Sequence, residues 1–192
     1  MDFMSLIKDQ LNNPEILSQL GKTVGADADQ VSKVTQLGLP ALLEGLNRNA
    51  QTPDGAEALA AALDQHKDDS VNDLSGFLQN VDQNDGAKIL SHVFGGKKDK
   101  VQNNLAKQTG LQSGQVSGLL TQLAPMLLGA LGNQKKEDNL DASGIASLLP
   151  SLGSLLGGSH SGGLSGIASL LDADKDGDIM DDLKGLLGKF LK

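Results

Sequence analysis

The sequence contains no cysteine, tryptophan or tyrosine, and only four of its 192 residues are phenylalanine. Without cysteine, the chain has no disulfides, no thiolate metal ligands and no cysteine nucleophile. With so few aromatic rings, it has little to stack on nucleic-acid bases or to anchor an aromatic interface. A formal net charge of −8 also argues against nucleic acid as a partner, because phosphate binding requires clustered lysine and arginine.

β-branched residues are also scarce relative to leucine. The chain has 35 leucines but only 14 valines and isoleucines together, and valine and isoleucine are the residues that best suit a pleated sheet. Apolar residues recur instead at intervals of three and four, which is typical of amphipathic helices. The composition and this spacing predict an all-α helical bundle.

A unit that occurs twice organises most of this bundle. Residues 20–46 and 105–131 align at a constant offset of 85 residues with ten identities, which include a glycine, a Gln-Val-Ser triplet and a proline. In each copy the glycine ends one helix, a short polar link follows, and Gln-Val-Ser lies at the start of a second helix. Repeated units of this kind bury their apolar faces against each other. We therefore expect two helix-turn-helix units related by an approximate two-fold axis.

The prolines of the two copies, Pro40 and Pro125, lie inside the second helix of each unit. An interior proline removes a backbone hydrogen bond and costs about 3 kcal/mol, so each helix is expected to kink or restart there. This bend would bring the leucine pairs that follow the prolines into one buried centre. The leucines concerned are Leu42, Leu43, Leu127 and Leu128.

The composition changes after the second copy. We predict a helical repeat domain over 1–132, a flexible Gly/Ser-rich linker with a short helix over 133–163, and a helix-loop-helix segment over 164–192. The charged stretch 134–138 is interpreted as the start of the linker. The heptapeptide Ser-Gly-Ile-Ala-Ser-Leu-Leu occurs at 143–149 and again, unchanged, at 165–171.

A candidate metal loop follows the second heptapeptide directly. Its aspartates alternate with other residues and a glycine occupies the sixth position, as in the first half of a calcium-binding loop. Position 12 is Leu183, where an EF-hand has a bidentate glutamate, so the loop resembles shorter extracellular calcium loops that close with an acid at position 10. The alternative is a polar turn in which Asp178 caps the last helix. The predicted calcium ligands are Asp172, Asp174, Asp176, Asp178 and Asp181.

The last residues, 179–192, have the apolar spacing of an amphipathic helix with lysines at its end. Packing against the core is one interpretation of this stripe, and association with a membrane surface is the other. The longest apolar run, 119–131, is too short to span a membrane. The N-terminus has no basic region or apolar core of a signal peptide, so a cytoplasmic location is the default expectation.

No pattern indicates an enzyme. The three histidines lie in different segments, and the nearest approach to a cluster is His66 with Asp69 and Asp73. No glycine-rich phosphate loop and no G-x-S-x-G elbow occurs in the required context. The sequence therefore favours a non-enzymatic calcium-binding interaction or scaffold protein with a protein partner. A peripheral membrane protein that uses 179–192 is the alternative.

Several motifs together resemble a known family. The motifs are HVFGG at 92–96, PDGAEALAAAL at 53–63, QVSGLLTQLAPMLLGALG at 115–132 and the DxDxDGxxxDDL stretch that starts at Asp172. With these motifs the chain is similar to a bacterial family catalogued as domain of unknown function 937. This resemblance implies a helical bacterial protein and implies no particular activity.

Overall fold

The structure is a computed structural model that describes residues 9–156, with side chains through residue 153. All regular secondary structure in this range is helical, which confirms the all-α prediction for this part of the chain. Residues 9–11 are helical, and the residues before them lie outside the described range. The helices are α1 (Pro14–Val24), α2 (Ala28–Asn49), α3 (Pro53–His66), α4 (Leu74–Asn80), α5 (Gln83–Phe94), α6 (Lys98–Thr109), α7 (Ser113–Glu137) and α8 (Ala142–Leu156).

The helix starts follow from local capping chemistry. At α2, Gln30 N–H donates to Asp27 Oδ1 over 2.8 Å, and Asp27 N–H donates back to Gln30 Oε1 over 3.2 Å, which forms a capping box. At α3, Gly55 N–H donates to Thr52 Oγ1 over 3.2 Å, and Pro53 takes the first helical position, where its missing N–H costs nothing. These side chains accept from N–H groups that have no partner within the helix.

The two sequence copies correspond to α1–α2 and α6–α7. The first helix of each pair ends at a glycine in the left-handed region, Gly25 with φ of 70° and Gly110 with φ of 75°. Glycine adopts this conformation without the steric cost that a Cβ would add. A short link then leads into the long second helix. The approximate two-fold relation between the copies stays a prediction.

Helix α7 lies at the centre of the bundle and packs against α1, α2, α3, α5 and α6. Every residue from 119 to 132 is buried, as expected for a helix that is almost entirely apolar around its circumference. Its buried glutamine is hydrogen-bonded, since Gln122 Nε2 donates to Thr23 Oγ1 over 2.8 Å and to the Gly118 carbonyl over 3.1 Å. The core is therefore built around one helix of the second copy.

The prolines do not restart their helices. Both α2 and α7 continue past Pro40 and Pro125, and both prolines are buried. The four leucines that follow them are 1% to 3% exposed and belong to one hydrophobic cluster. Burial of a leucine side chain contributes about 1.5–3 kcal/mol, so several such side chains outweigh the cost of one interior proline.

Residues 134–137, interpreted from the sequence as the start of a linker, are helical in the structure. Helix α7 extends through Glu137, and α8 packs on α2 and α3 with Ile145, Leu149 and Leu152 buried. In this helical stretch, Lys135 pairs with Asp64 of α3 and Lys136 pairs with Asp68, just after α3. Its charged residues lie at a surface contact between helices. Composition alone does not distinguish such a contact from a solvated linker, because both are rich in charged residues. The boundaries of the three predicted segments stay predictions.

Candidate functional site

The predicted calcium ligands lie outside the described residues. Asp172, Asp174, Asp176, Asp178 and Asp181 all follow residue 156, as does the amphipathic stretch 179–192. The loop therefore stays a prediction from the spacing of its aspartates. Within residues 9–156, three features could take part in binding or chemistry. They are a histidine cluster, a pair of salt bridges beside it, and a shallow depression at the α6–α7 turn.

The histidine cluster joins three elements of the bundle. His66 Nδ1 lies 2.8 Å from Asp69 Oδ2, and His66 Nε2 lies 3.5 Å from Asp85 Oδ2. The His66 side chain is 15% exposed, while the two aspartates are 31% and 38% exposed. An imidazolium can donate to both carboxylates at once, whereas a neutral ring donates from only one nitrogen. The ring is thus enclosed between two negative groups at the protein surface.

The backbone around the cluster holds these groups in place. His66 is the last residue of α3, and Asp69 N–H donates to the His66 carbonyl over 3.1 Å, which closes a turn after the helix. Asn133 of α7 donates from Nδ2 to the Asp69 carbonyl over 3.1 Å and to the Gly129 carbonyl over 2.8 Å. The turn after α3 is therefore attached to the central helix.

Two lysines of α7 form ion pairs next to this cluster. Lys135 Nζ lies 2.6 Å from Asp64 Oδ1, and Lys136 Nζ pairs with Asp68. The hydrogen bond from Lys135 holds the pKa of Asp64 below its ordinary value, and the hydrogen bond from Lys136 does the same to the pKa of Asp68. Both carboxylates are exposed, so these pairs are screened by solvent and connect α3 to α7 only weakly.

The sequence identified one of the two carboxylates that contact His66. Asp69 was placed beside His66 by its spacing of three, but Asp73 is not in the cluster. Asp73 instead accepts a hydrogen bond from Gly76 N–H over 3.0 Å and so caps α4, which starts at Leu74. Asp85 lies in the first turn of α5, and no local pattern connects it with His66.

The cluster is arranged to connect helices. Both ring nitrogens of His66 face carboxylate oxygens, one in the turn after α3 and one in α5. Within the described part of the chain, no group of three or more histidine or acidic side chains has the arrangement to hold a metal ion. The contacts of His66 connect the end of α3 with α5.

The surface depression lies between the end of α6 and the start of α7. It has a volume of about 370 Å³, a floor of Ala106 and Leu111, and a polar rim in which Ser113 Oγ donates to Asn103 Oδ1. Lys107 is the charged residue of the rim. The depression is open to solvent, and its rim offers no acid–base pair. Because it coincides with the turn of the second copy, it follows from the geometry of that turn.

These helices define an all-α bundle that surrounds a buried central helix, and no described helix is long and apolar enough to cross a membrane. A family model with the description bacterial protein of unknown function (DUF937) matches residues 6–134. The match covers more than half of the chain, so the chain belongs to this family. It ends before α8, the second heptapeptide and the aspartate loop. Comparison with curated proteins and with solved structures found no match.

Proposed function

We propose that this chain is a non-enzymatic calcium-binding protein that acts as an interaction or scaffold protein. The observation that carries the proposal is the spacing of aspartates and glycine in the stretch 172–181. Carboxylates at positions 1, 3 and 5 can surround a calcium ion, and a glycine at position 6 allows the sharp turn between them. The Asp178 carbonyl would add a ligand at position 7, and Asp181 would close the loop.

The charge of the loop supports a cation in preference to an unoccupied turn. Four aspartates lie within seven residues, at positions 172, 174, 176 and 178. Like charges this close repel one another unless a cation lies among them. The closing ligand is a short aspartate, where an EF-hand has a bidentate glutamate. We therefore expect weak binding, with a dissociation constant on the order of 10⁻⁴ to 10⁻³ M, as in extracellular calcium modules.

The arrangement of the described helices supports a scaffold role. The apolar side chains form a single cluster around α7, and the half-buried histidine is enclosed by two carboxylates. A bundle of this kind offers a rigid surface to a protein partner. The calcium loop would then add a ligand-dependent element at the C-terminal end of the chain.

Calorimetric titration of the full chain with calcium tests the proposal. The wild type should release or absorb heat at millimolar calcium, and calcium at about 100 times its dissociation constant should stabilise the unit that contains the loop by about 2.7 kcal/mol. Asp174→Ala and Asp176→Ala should abolish both effects. Asp182→Ala is the matched control and should retain them, because Asp182 lies outside the ligand set. A wild type without heat of binding or thermal shift would show that the loop is only a capped turn.

Peripheral membrane association is the second candidate, and a specific sequence pattern favours it. The apolar residues of 179–192 fall on one helical stripe, and Lys189 and Lys192 lie near its end. Co-sedimentation of the full chain with anionic lipid vesicles would test this candidate, with Leu187→Asp as the variant that interrupts the stripe. Binding that Leu187→Asp abolishes would support it, whereas a wild type that stays in the supernatant would contradict it.

A further inference from the structure

Helix α8 packs on the bundle through the side chains of one heptapeptide. In residues 143–149, Ile145 is 2% exposed and Leu149 is 1% exposed, and both belong to the main hydrophobic cluster. They are four residues apart and so lie on the same face of the helix. Ser143 and Ser147 are exposed on the opposite face. The heptapeptide therefore contains both a buried face and a solvent face, and it docks on α2 and α3.

The same seven residues occur a second time at 165–171, where Ile167 and Leu171 correspond to Ile145 and Leu149. An identical sequence can form the same helical face with the same volume and apolar surface. We infer that the face of α2 and α3 that holds residues 143–149 is a peptide-binding site, and that residues 165–171 of the same chain are its second ligand. The two heptapeptides then compete for one site.

The length of the connecting chain makes the first heptapeptide the usual occupant. Five residues, 138–142, separate α7 from the first copy, whereas 27 residues, 138–164, separate α7 from the second. The longer segment can reach the same site, since it only has to span the distance that the five residues span now. The entropic cost of loop closure grows with the logarithm of length, so the probability of closure falls with about the three-halves power of length and favours the first copy by about tenfold.

The flanking residues increase this preference. Before the first copy, Asp141 Oδ1 accepts from Gly144 N–H over 2.8 Å, but the equivalent residue before the second copy is Gly163, which has no side chain to cap the helix. After the first copy, Leu152 is 4% exposed, whereas the equivalent residue after the second copy is Asp174. A carboxylate at an apolar contact disfavours docking. Residues 165–171 are thus the weaker ligand, which occupies the site when residues 143–149 leave it.

The face of α2 and α3 would then be an interaction surface for which a segment of the same chain, 165–171, competes with other ligands. The site recognises an amphipathic helix with two aliphatic anchors four residues apart, which is a helix-in-groove mode of recognition. Because the competitor is in the same chain, its effective concentration is on the order of millimolar. The inference does not depend on calcium, since it rests only on the docked position of α8 and on the identity of the two heptapeptides.

A mutant cycle in the full chain tests the competition. The first pair of substitutions is Ile145→Ser with Leu149→Ser, and the matched pair is Ile167→Ser with Leu171→Ser, which makes the same changes in the same sequence. The second pair alone should change the melting temperature by less than about 1 °C, because residues 143–149 occupy the α2–α3 face in the wild type. The same pair should lower it by about 5 °C further when the first pair is already mutated. Additive shifts would overturn the inference.

Methyl NMR provides a direct readout of which isoleucine is docked. The chain has six isoleucines, so the Ile145 and Ile167 δ1 signals can be assigned by substitution. In the first-pair variant, the Ile167 signal should move to the shift that Ile145 has in the wild type, at every protein concentration. Leu149→Ala is a milder variant, because it removes only part of one anchor, and it should move the Ile167 signal part of the way. An Ile167 signal that stays in place, or that moves only at high protein concentration, would overturn the inference.

Discussion

The second helices of the two copies, α2 and α7, share a Gln-Val-Ser start and an interior proline but differ in how completely they are buried. In α2, Lys33 is exposed, and Glu44 and Asn47 are partly exposed. In α7, the stretch 119–132 is buried on all sides. The shared residues therefore specify the same local structure, while other residues decide whether the helix lies at the edge or at the centre of the bundle.

The residues that make this difference are three glycines of α7. They occupy the positions of the charged or amide side chains in α2, and each allows another segment to approach. A Cβ on Gly118 would lie 2.8 Å from Val24 Cγ1, and a Cβ on Gly132 would lie 2.6 Å from the Leu63 carbonyl oxygen. The corresponding pairs, in the register of the repeat, are Lys33 with Gly118, Glu44 with Gly129 and Asn47 with Gly132.

This comparison shows how a repeated unit can acquire a central position. A helix with one polar face can pack on one side only, because its charged side chains must stay in water. Replacing those side chains by glycine removes the charge and also brings the backbone within reach of its neighbours. The turn after α3 contacts α7 at Gly129, where a Cβ would lie 2.7 Å from Val71 Cγ1. The four predictions below test this interpretation.

The largest effect is expected at a register where the two copies are equally buried. Leu42 and Leu127 correspond in the repeat and are each 1% exposed. Leu42→Ala and Leu127→Ala should each reduce the free energy of unfolding by about 2–5 kcal/mol, as measured by urea denaturation. A melting temperature that does not change in Leu127→Ala would show that the second copy does not form the core.

A smaller effect that is specific to one copy is expected for Gly132→Ala. The added methyl would lie 2.6 Å from the Leu63 carbonyl oxygen and 2.9 Å from Lys67 N, both backbone atoms, so α3 and α7 would have to separate. We expect a loss of about 1–3 kcal/mol in the free energy of unfolding. Asn47→Ala is the matched control in the first copy and should stay within about 0.5 kcal/mol of wild type. Equal losses in the two variants would contradict the comparison.

Gly118→Ala makes the same chemical change with a weaker steric conflict. Its Cβ would meet the Val24 Cγ1 methyl at 2.8 Å, and Val24 is only half-buried, so its side chain can rotate away. Alanine is also favoured over glycine in a helix by about 1 kcal/mol. The two effects offset each other, and we expect a net change within about 0.5 kcal/mol. A thermal unfolding experiment that ranks Gly118→Ala below Gly132→Ala in stability would refute this reasoning.

The smallest effect is expected for the ion pairs at the end of α7, which have no counterpart in α2 because Ala50 and Gln51 occupy their register. The pKa values of Asp64 and Asp68 are lower in the folded chain than the ordinary value of 3.8. The stabilisation is therefore present above that value and is lost as the pH falls below it.

Thermal unfolding between pH 7 and pH 3 would measure this contribution. A Lys135→Gln, Lys136→Gln double variant should lose slightly less stability than wild type on acidification, because it no longer has the pairs to lose. Parallel pH profiles for the two proteins would show that the pairs contribute nothing. High salt should reduce the difference, since exposed charges are screened.

Local signals predicted the second helices of both copies and the burial of Leu42, Leu43, Leu127 and Leu128. They did not predict that α8 packs on α2 and α3, because a stretch rich in glycine and serine resembles a linker when its docking surface is unknown. The pairing of the α7 lysines with α3 was equally invisible, since Asp64 and Lys135 are 71 residues apart.

The contacts of the histidine cluster also fall into two kinds, one that is local in the sequence and one that depends on the packing of the helices. His66 and Asp69 are three residues apart, and the turn that follows α3 brings them together, so their contact depends only on local structure. Asp85 reaches His66 only because α3 and α5 both pack against α7. Asp73, the other aspartate near in sequence, caps a helix instead, because the first N–H groups of α4 need an acceptor. From the sequence, Asp73 could contact His66 or cap the next helix. The choice between these two roles depends on where α4 starts.

The sequence alone determined where the long helices of the repeat start, and which glycines end the helices before them, because capping side chains and left-handed glycines act on backbone groups within a few residues. Only the tertiary structure decided which copy became the centre of the bundle and which carboxylate joined Asp69 at His66. Those outcomes depend on contacts between segments tens of residues apart, and such contacts form only after the helices pack together.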